Sequence, residues 1–327
     1  MPDSISRSDS INTPTFQVRN IPIYGDAILA PMDGYSDWPF RSLCRELGSA
    51  MSYTEFVKVD VILRKSRRPI VKLKFTQAER PVVFQIYGDD PDLIVRAALK
   101  AQVLGPDIID INMGCPARTV THHGAGVGLM RTPLKVAHIF KKLSSMLDVP
   151  VTGKIRLGWD DCRNHVLIAR IIEENGGALI AVHARTKQQG LAGQVDLDAI
   201  AEVCSVVKIP VIGNGDIKKV ADIEHMKQAT GCQAVMIGRG AIANPWIFSR
   251  LERDQVAYEQ VRQLVCTHLE RNIEFYGSEI GQRLFRKHAV QYLLQHGLDR
   301  EARKELLSQR PPDEFLELLD QINAISQ

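Results

Sequence analysis

Eight times along this chain a short run rich in Val, Ile and Ala gives way to a turn and then to a longer segment of a different period. The runs cover residues 27–32, 51–56, 81–87, the stretch opening at Asp107, 150–157, 178–184, 210–214 and 234–238. Apolar runs of this length, bounded by Pro, Gly and Asn, read as strands buried on both faces. Helical segments follow at 38–47, 91–103, 133–146, 163–175, 196–206 and 220–230, with a short one near 244–249. A basic insertion, 58–74, follows the second run instead. Ser36 and Asp37 are good caps for the first helix, and Pro91 suits a first helical position. Strand–helix alternation builds a parallel sheet, and eight units in about 240 residues is the size of a (β/α)8 barrel. The alternative, an open doubly wound sheet, is weakened by the lack of a G-x-G-x-x-G turn after the first strand.

The strands cease near Arg253. Segments 254–276, 279–295, 300–307 and 312–325 read as helices, punctuated by Gly277, Gly297, Pro311 and Pro312. The expected architecture is an α/β TIM barrel over 20–250 and an all-helical unit over 251–327. Residues 1–19 form a polar tail and a strand-like lead-in, expected to be disordered before about Phe16.

With 327 residues and 45% hydrophobic side chains the chain can build a large core. A net charge of +3 excludes a protein coated in base, so any nucleic-acid surface has to be a local patch. The six cysteines are scattered without a C-x-x-C pair, which signals neither a zinc site nor a disulfide framework. No metal is expected. The N-terminal segment has no apolar core of a secretory signal, and no apolar run is long enough to span a membrane. A cytoplasmic protein, acting as a monomer and without a membrane partner, is the expectation.

In a barrel the chemistry sits where strands end. Those ends carry Pro31-Met32, Glu55, Gln85, Asn112 with Cys115, Lys154 with Arg156, His183 with Arg185, Asn214-Gly215-Asp216, and Gly238-Arg239. Packing does not require polar residues at so many strand ends. The 107–130 stretch, DIIDINMGCPARTVTHHGAGVGLM, is the most telling: a buried strand stops before Pro116 and leaves a cysteine on a Gly-rich loop. Gly213 to Asp216 and Ile237 to Gly240 follow the seventh and eighth strands, where such barrels commonly cradle a phosphate with backbone N–H groups. Arg239 would add a charge-assisted hydrogen bond. Lys154 needs an anionic partner or a lowered pKa. It suits electrostatic stabilisation of an anion or Schiff-base chemistry in an aldolase. His183 could hold phosphate or shuttle a proton.

Taken together, APMDGYSDWPFR (30–41), TEFV (54–57), DINMGCP (110–116), GKIRLGWD (153–160), VHARTKQQG (182–190), PVIGNGD (210–216), VMIGRGAIANPW (235–246) and RKH (286–288) resemble the tRNA-dihydrouridine synthases. TEFV is similar to one bacterial subgroup, and DINMGCP, GNGD and RKH to another, so the target uridine stays open. The resemblance implies an FMN-binding barrel, a helical tRNA-binding domain over 251–327, and an NAD(P)-linked oxidoreductase that reduces uridines in tRNA with NADPH. It places Pro31, Met32 and Asp33 along the FMN ring with Gln85 bonded to it, and Lys154 at the flavin's polar edge. His183, Asn214, Gly215, Asp216, Gly238 and Arg239 would hold the ribityl chain and phosphate. Cys115 would be the proton donor, its thiol protonated at an ordinary pKa of about 8.5. Asn112 and Arg185 would face FMN or the uracil. Arg286 and Lys287, with Arg283 and the basic residues between Arg64 and Lys74, would meet tRNA phosphates. A Schiff-base aldolase on Lys154 and a non-catalytic RNA-binding module are the alternatives.

Overall fold

The computed structural model describes residues 13–64 and 68–293 and, beyond them, residues 304, 314, 315, 317, 320 and 321. A hairpin of β1 (Phe16–Val18) and β2 (Ile21–Ile23) leads in. Parallel strands follow: β3 (Ala27–Leu29), β4 (Ser52–Tyr53), β5 (Val57–Lys58), β6 (Val82–Tyr87), β7 (Ile108–Met113), β8 (Val151–Arg156), β9 (Ile180–His183), β10 (Val211–Asn214) and β11 (Ala234–Ile237). β3 pairs with β11 on one side and β4 on the other, and β4 pairs with β6, so the sheet closes into a ring. The expected second strand is split: 54–56 leave the ladder, and β5 resumes beside the end of β6. Closure makes this the (β/α)8 barrel and removes the open-sheet alternative.

The helices between strands are α1 (Trp38–Glu46), α2 (Val59–Leu63), α3 (Pro91–Gln102), α4 (Arg118–Thr121), α5 (Pro133–Met146), α6 (His165–Glu174), α7 (Leu197–Val206), α8 (Val220–Thr230) and α9 (Arg239–Ala243). Their starts are chemically marked. Asp37, Asp90 and Asp196 each accept a hydrogen bond from the backbone N–H three residues on, at 3.3, 2.9 and 3.1 Å. Pro91 and Pro133 occupy first turns that need no donor.

Side-chain alternation along the strands sorts the interior. Ile109, Ile111, Met113, Ile155 and Val182 face outward into the layer between sheet and helices. Ile28, Val83, Ile108, Ala181, Ile212 and Ala234 point inward and are fully or almost fully buried. Phe16, Val18 and Ile23 of the hairpin join that inner cluster and plug the N-terminal end of the ring. Two residues further along, the inward positions are Gln85, Asp110, Lys154, His183, Asn214 and Met236, so the barrel's lumen turns from apolar to polar toward the strands' C-terminal ends.

α10 (Tyr258–Tyr276) and α11 (Ser278–Leu293) follow and pack on each other, with α10 along α1. Tyr276 donates to Asp37 at 3.1 Å, Arg271 donates to Ser42 Oγ at 2.9 Å, and Trp38 stacks on Phe275. The expected helix from 254 begins only at Tyr258. Arg253, buried over the Trp246 ring and donating to the Tyr292 carbonyl at 3.1 Å, holds a separate turn first. The expected helices at 300–307 and 312–325, and the tail before residue 13, lie outside the described residues, save single positions such as Phe315, whose ring meets Phe285. No helix among the described residues is long and apolar enough to cross a membrane.

A further departure concerns Gly124, Ala125 and Gly126, which read as a flexible segment but lead straight into a 3-10 turn, Gly126–Arg131, with Val127, Leu129 and Met130 fully buried. Gly126 has a φ of +58°, and a Cβ there would stand 2.7 Å from the Cys115 carbonyl. Close approach to the cysteine, not mobility, is what that glycine serves.

Arg41 and Glu79 form a fully buried pair at 2.7 Å. Arg41 also donates to the Ser36 and Lys74 carbonyls at 3.2 and 2.8 Å, and Glu79 accepts from Thr76 N at 2.9 Å. The pair thus ties the segment after α2 to α1. Glu79→Ala leaves a buried guanidinium without its carboxylate and should lower the unfolding free energy by about 3–5 kcal/mol in urea titration. A loss under about 1 kcal/mol would show the pair to be dispensable.

Two buried histidines set an acid limit. His268 and His288 sit between α1, α10 and α11, His268 stacked on Phe40 and His288 tilted against it. Burial pushes His268 down to about 3 and His288 well below its usual range, with nearby positive charge adding to it. Although Asp37 and Asp110, each raised to about 6 by burial, take up protons on folding, at these two rings the folded chain binds fewer protons than the unfolded one. The histidines' stabilisation is complete above about pH 6.5 and is lost as pH falls toward the folded values, at up to about 1.4 kcal/mol per pH unit for each group. In urea melts the change in stability between pH 7 and pH 5 should therefore be less unfavourable in His268→Gln than in the wild-type chain, and the same change in both would refute it.

Candidate active site

A cavity of about 350 Å3 opens at the C-terminal ends of the strands. Ala30, Pro31, Met32 and Asp33 after β3, Asn112 of β7 with Gly114 and Cys115 beyond it, and Lys154 and Arg156 of β8 line it. His183 at the end of β9 and Arg185 beyond it, Asn214 at the end of β10 with the residues to Lys218, and Gly238 to Gly240 at the head of α9 line it as well. Of the residues singled out in the sequence, Pro31, Met32, Asp33, Asn112, Cys115, Lys154, His183, Arg185, Asn214, Gly215, Asp216, Gly238 and Arg239 meet on this one surface.

Gln85, Arg286 and Lys287 do not line it. Gln85 is fully buried beneath the floor. Its Nε2 donates to Asp110 Oδ2 at 2.8 Å and its Oε1 accepts from Asn112 Nδ2 at 2.8 Å. Arg286 and Lys287 lie half-buried on α11, and Lys287 Nζ donates to the Gly34 carbonyl beside the cavity's rim.

A chain of bonds leads from that floor to the cysteine. Thr152 Oγ1 donates to Asp110 Oδ1 at 2.6 Å, and beyond Gln85 the Asn112 Oδ1 accepts from the N–H groups of Cys115 and Gly114 at 2.9 and 3.2 Å. Arg156 Nε holds the Gly114 carbonyl at 2.8 Å, and its Nη1 donates to the Thr186 and Gly190 carbonyls at 3.0 and 2.9 Å. The loop bearing Cys115 is thus fixed from below and from the side.

The electrostatics favour an anion. Lys154, Arg156, Arg185, Lys218 and Arg239 bring five cationic groups to the wall, and Asp33 and Asp216 bring two carboxylates, an excess of three. Arg185 grips Asp216 through both oxygens, at 2.5 and 3.1 Å, and Arg239 reaches the same carboxylate at 3.2 Å. The two arginines hold Asp216 below the usual carboxylate range, with Arg185 the larger influence. Lys154 donates to Asn214 Oδ1 at 2.8 Å. Burial, then Arg156, pushes it down to about 8, while Asp110 pulls it up. Burial, then Lys154 and the three arginines, pushes His183 down to about 2, so its ring is neutral and its hydrogen bonds, not its charge, are what it offers. Cys115 is half-buried, and desolvation raises its thiol above the usual range despite the nearby cations. An ordinary thiol pKa was the expectation; burial accounts for the difference.

Arg156, singled out beside Lys154, also lines the cavity, two residues along the same face of β8. Sequence reasoning left out Leu191 and Lys218, which sit on loops outside the motifs, and gave no site role to Phe56 of the TEFV segment. No group of His, Cys, Asp and Glu suited to a metal ion occurs among the described residues.

The family model described as dihydrouridine synthase (Dus) matches residues 28–327. The tRNA-dihydrouridine synthase B of Pseudomonas aeruginosa is 40% identical over 275 residues, 81% of this chain and 83% of its own. The protein of that name from Xanthomonas axonopodis pv. citri is 37% identical over 300 residues, 89% and 90% of the two chains. Among solved structures, histamine dehydrogenase from Rhizobium sp. 4-9 has a TM-score of 0.58 at 11% identity, covering 80% of this chain and 51% of that one. The 6-hydroxypseudooxynicotine amine oxidase of Pseudomonas geniculata N1 gives 0.55 at 12%, covering 81% and 52%. At such identity the likeness is one of fold.

The raised thiol has a direct consequence. Alkylation of Cys115 by iodoacetamide, followed by peptide mass spectrometry, should accelerate about tenfold per pH unit and level off only above about pH 9. A plateau below about pH 7.5 would mean a thiolate at rest and would contradict the burial argument.

Proposed function

The chain belongs to the dihydrouridine synthase family, and on that footing we propose that it reduces particular uridines of tRNA to 5,6-dihydrouridine, with FMN in the cavity and NADPH as the electron donor. One observation carries the reading: Cys115 opens on the same cavity as Lys154, His183 and Arg239. A protonated thiol and an anion-binding wall therefore face one space, as reduction of an extruded pyrimidine requires.

The residues suit FMN. The excess of three positive charges calls for an anionic occupant, and Gly238 and Gly240 put a bare backbone at the head of α9, where N–H groups suit a phosphate. Arg239, with its side chain half in solvent, would pair with that phosphate, and Asn214 to Asp216 and the neutral His183 would hold the ribityl chain. Pro31, Met32 and Asp33 would lie along the ring, and Lys154 would meet its polar edge. The chemistry FMN would supply there is hydride transfer to C6 of the uracil, with NADPH as the source of the electrons.

Cys115 then gives the Sγ proton to C5, which completes saturation of the C5–C6 bond. A thiol kept protonated by desolvation is a competent general acid at neutral pH. The thiolate left behind is stabilised by Arg156 and Lys154, the cations that already act on it, until solvent restores the proton. Asn112 and Gln85 act through the loop they hold, because their amide groups are spent on Cys115, Gly114 and Asp110. Arg185, buried and committed to Asp216, shapes the phosphate end of the cavity. Around the mouth, tRNA phosphates would meet local cationic patches, since the whole chain carries little net charge.

Cys115→Ala should lower dihydrouridine formation at least about 100-fold while FMN stays bound and the purified protein stays yellow. Mass-spectrometric mapping of tRNA from a strain lacking the chain should show one or more uridines unreduced. Borohydride treatment with a carbonyl substrate should trap nothing on Lys154. A colourless protein that no FMN restores, or full activity in Cys115→Ala, would overturn the proposal.

A further inference from the structure

Gly34 ends the cavity-lining turn after β3 and is held from both sides by side chains foreign to that turn. Its N–H donates to Glu55 Oε1 at 2.5 Å, and its carbonyl accepts from Lys287 Nζ. Glu55 is a buried carboxylate, 5% exposed, in the break between β4 and β5. Lys287 comes from α11, more than 250 residues away in sequence, and its ammonium also lies 4.8 Å from the centre of the Tyr35 ring. Lys72 closes the arrangement, paired with Asp33 and 3.7 Å from Glu55. The turn's own bonds, Tyr35 N and Ser36 N to the Met32 carbonyl at 2.9 Å each, pass the constraint back to Met32. Gly34 has a φ of +79°, left-handed backbone that its own chemistry permits but does not impose.

We propose that Glu55 and Lys287 are positioning residues that clamp Gly34 and so set Met32 and Asp33 against the FMN ring. The inference rests on the FMN reading above and deepens it. It moves Lys287 from the tRNA surface, where its place in the sequence suggests it belongs, to the cofactor's support. The helical unit thereby contributes to the flavin site itself: α11 reaches past its own packing to one peptide group on the rim. Two hydrogen bonds to charged groups are the strong kind, and both converge on a single residue. Packing alone would not require a carboxylate and an ammonium on opposite ends of one glycine.

The test is FMN affinity, measured by quenching of flavin fluorescence, together with hydrogen exchange of the 30–37 peptide in the FMN-free chain. Lys287→Met and Glu55→Ala should each raise the FMN Kd about tenfold and speed exchange in that peptide about tenfold. Lys287→Arg should restore both, and Glu55→Gln, which keeps an acceptor oxygen, should fall between if Glu55→Ala does not fold. Lys287→Met with wild-type FMN Kd and wild-type exchange, but weaker tRNA binding, would overturn the proposal and return Lys287 to the RNA surface. A wild-type chain that binds no FMN would instead sink the functional reading and this inference with it.

Discussion

The loop that carries Cys115 stands on one buried carboxylate. Asp110 sits inside the ring with no exposure, accepting from Thr152 on β8 and Gln85 on β6. Burial raises it to about 6, and those two donors, with Lys154 nearby, limit the rise. A carboxylate in that place orients the Gln85 amide, which orients Asn112, which holds the Cys115 loop. Three neighbouring strands are tied through side chains as well as backbone, just where the lumen changes from apolar to polar. The position of the Cys115 thiol is therefore a property of the barrel and not of the loop alone.

Much of this was legible in the residues. Strand ends in a closed parallel barrel point at a common space, so polar residues at Asn112, Lys154, His183 and Asn214 predict one another once eight repeats are recognised. Two helix starts were legible as well: Asp37 caps α1 because the first turn leaves N–H groups open, and Pro91 fills a first-turn position of α3 that needs no donor. The less legible elements depend on contacts between distant segments. The Gly238–Ala243 stretch reads as a glycine turn, but folds into α9 once β11 ends against the cavity. Gln85 reads as a cavity residue because it lies inward on β6. Only its register against Asp110, which pairs the two across the ladder, shows that it lies one layer down.

The basic residues show the limit most clearly. Charge in a sequence does not disclose its partner. Lys72 and Lys287 look alike to Arg283 or Lys74 when read in line, as candidates for phosphate. In the fold, Lys72 is paired with Asp33 and Lys287 with a backbone carbonyl, whereas Lys74 lies 5.5 Å from the Phe275 ring centre. Surface cations that already hold a partner gain less from an RNA phosphate, because the existing interaction has to be given up first. Counting lysines and arginines along the sequence therefore overstates the charge that Lys72 and Lys287 leave unpartnered.

The cationic wall and the protonated thiol also constrain each other. Cations near a cysteine ordinarily favour thiolate, and Lys154 and Arg156 do pull Cys115 in that direction. Desolvation outweighs them because the sulfur is half-buried while Arg156 spends its guanidinium on the Gly114, Thr186 and Gly190 carbonyls. An anion bound along the wall offsets the same positive charges and removes part of their pull on the sulfur. An anionic occupant would therefore add to what desolvation already does, raising the Cys115 thiol further. The cationic wall and the thiol are one electrostatic arrangement: the charge that would attract an anion is the same charge that burial has to outweigh at the sulfur.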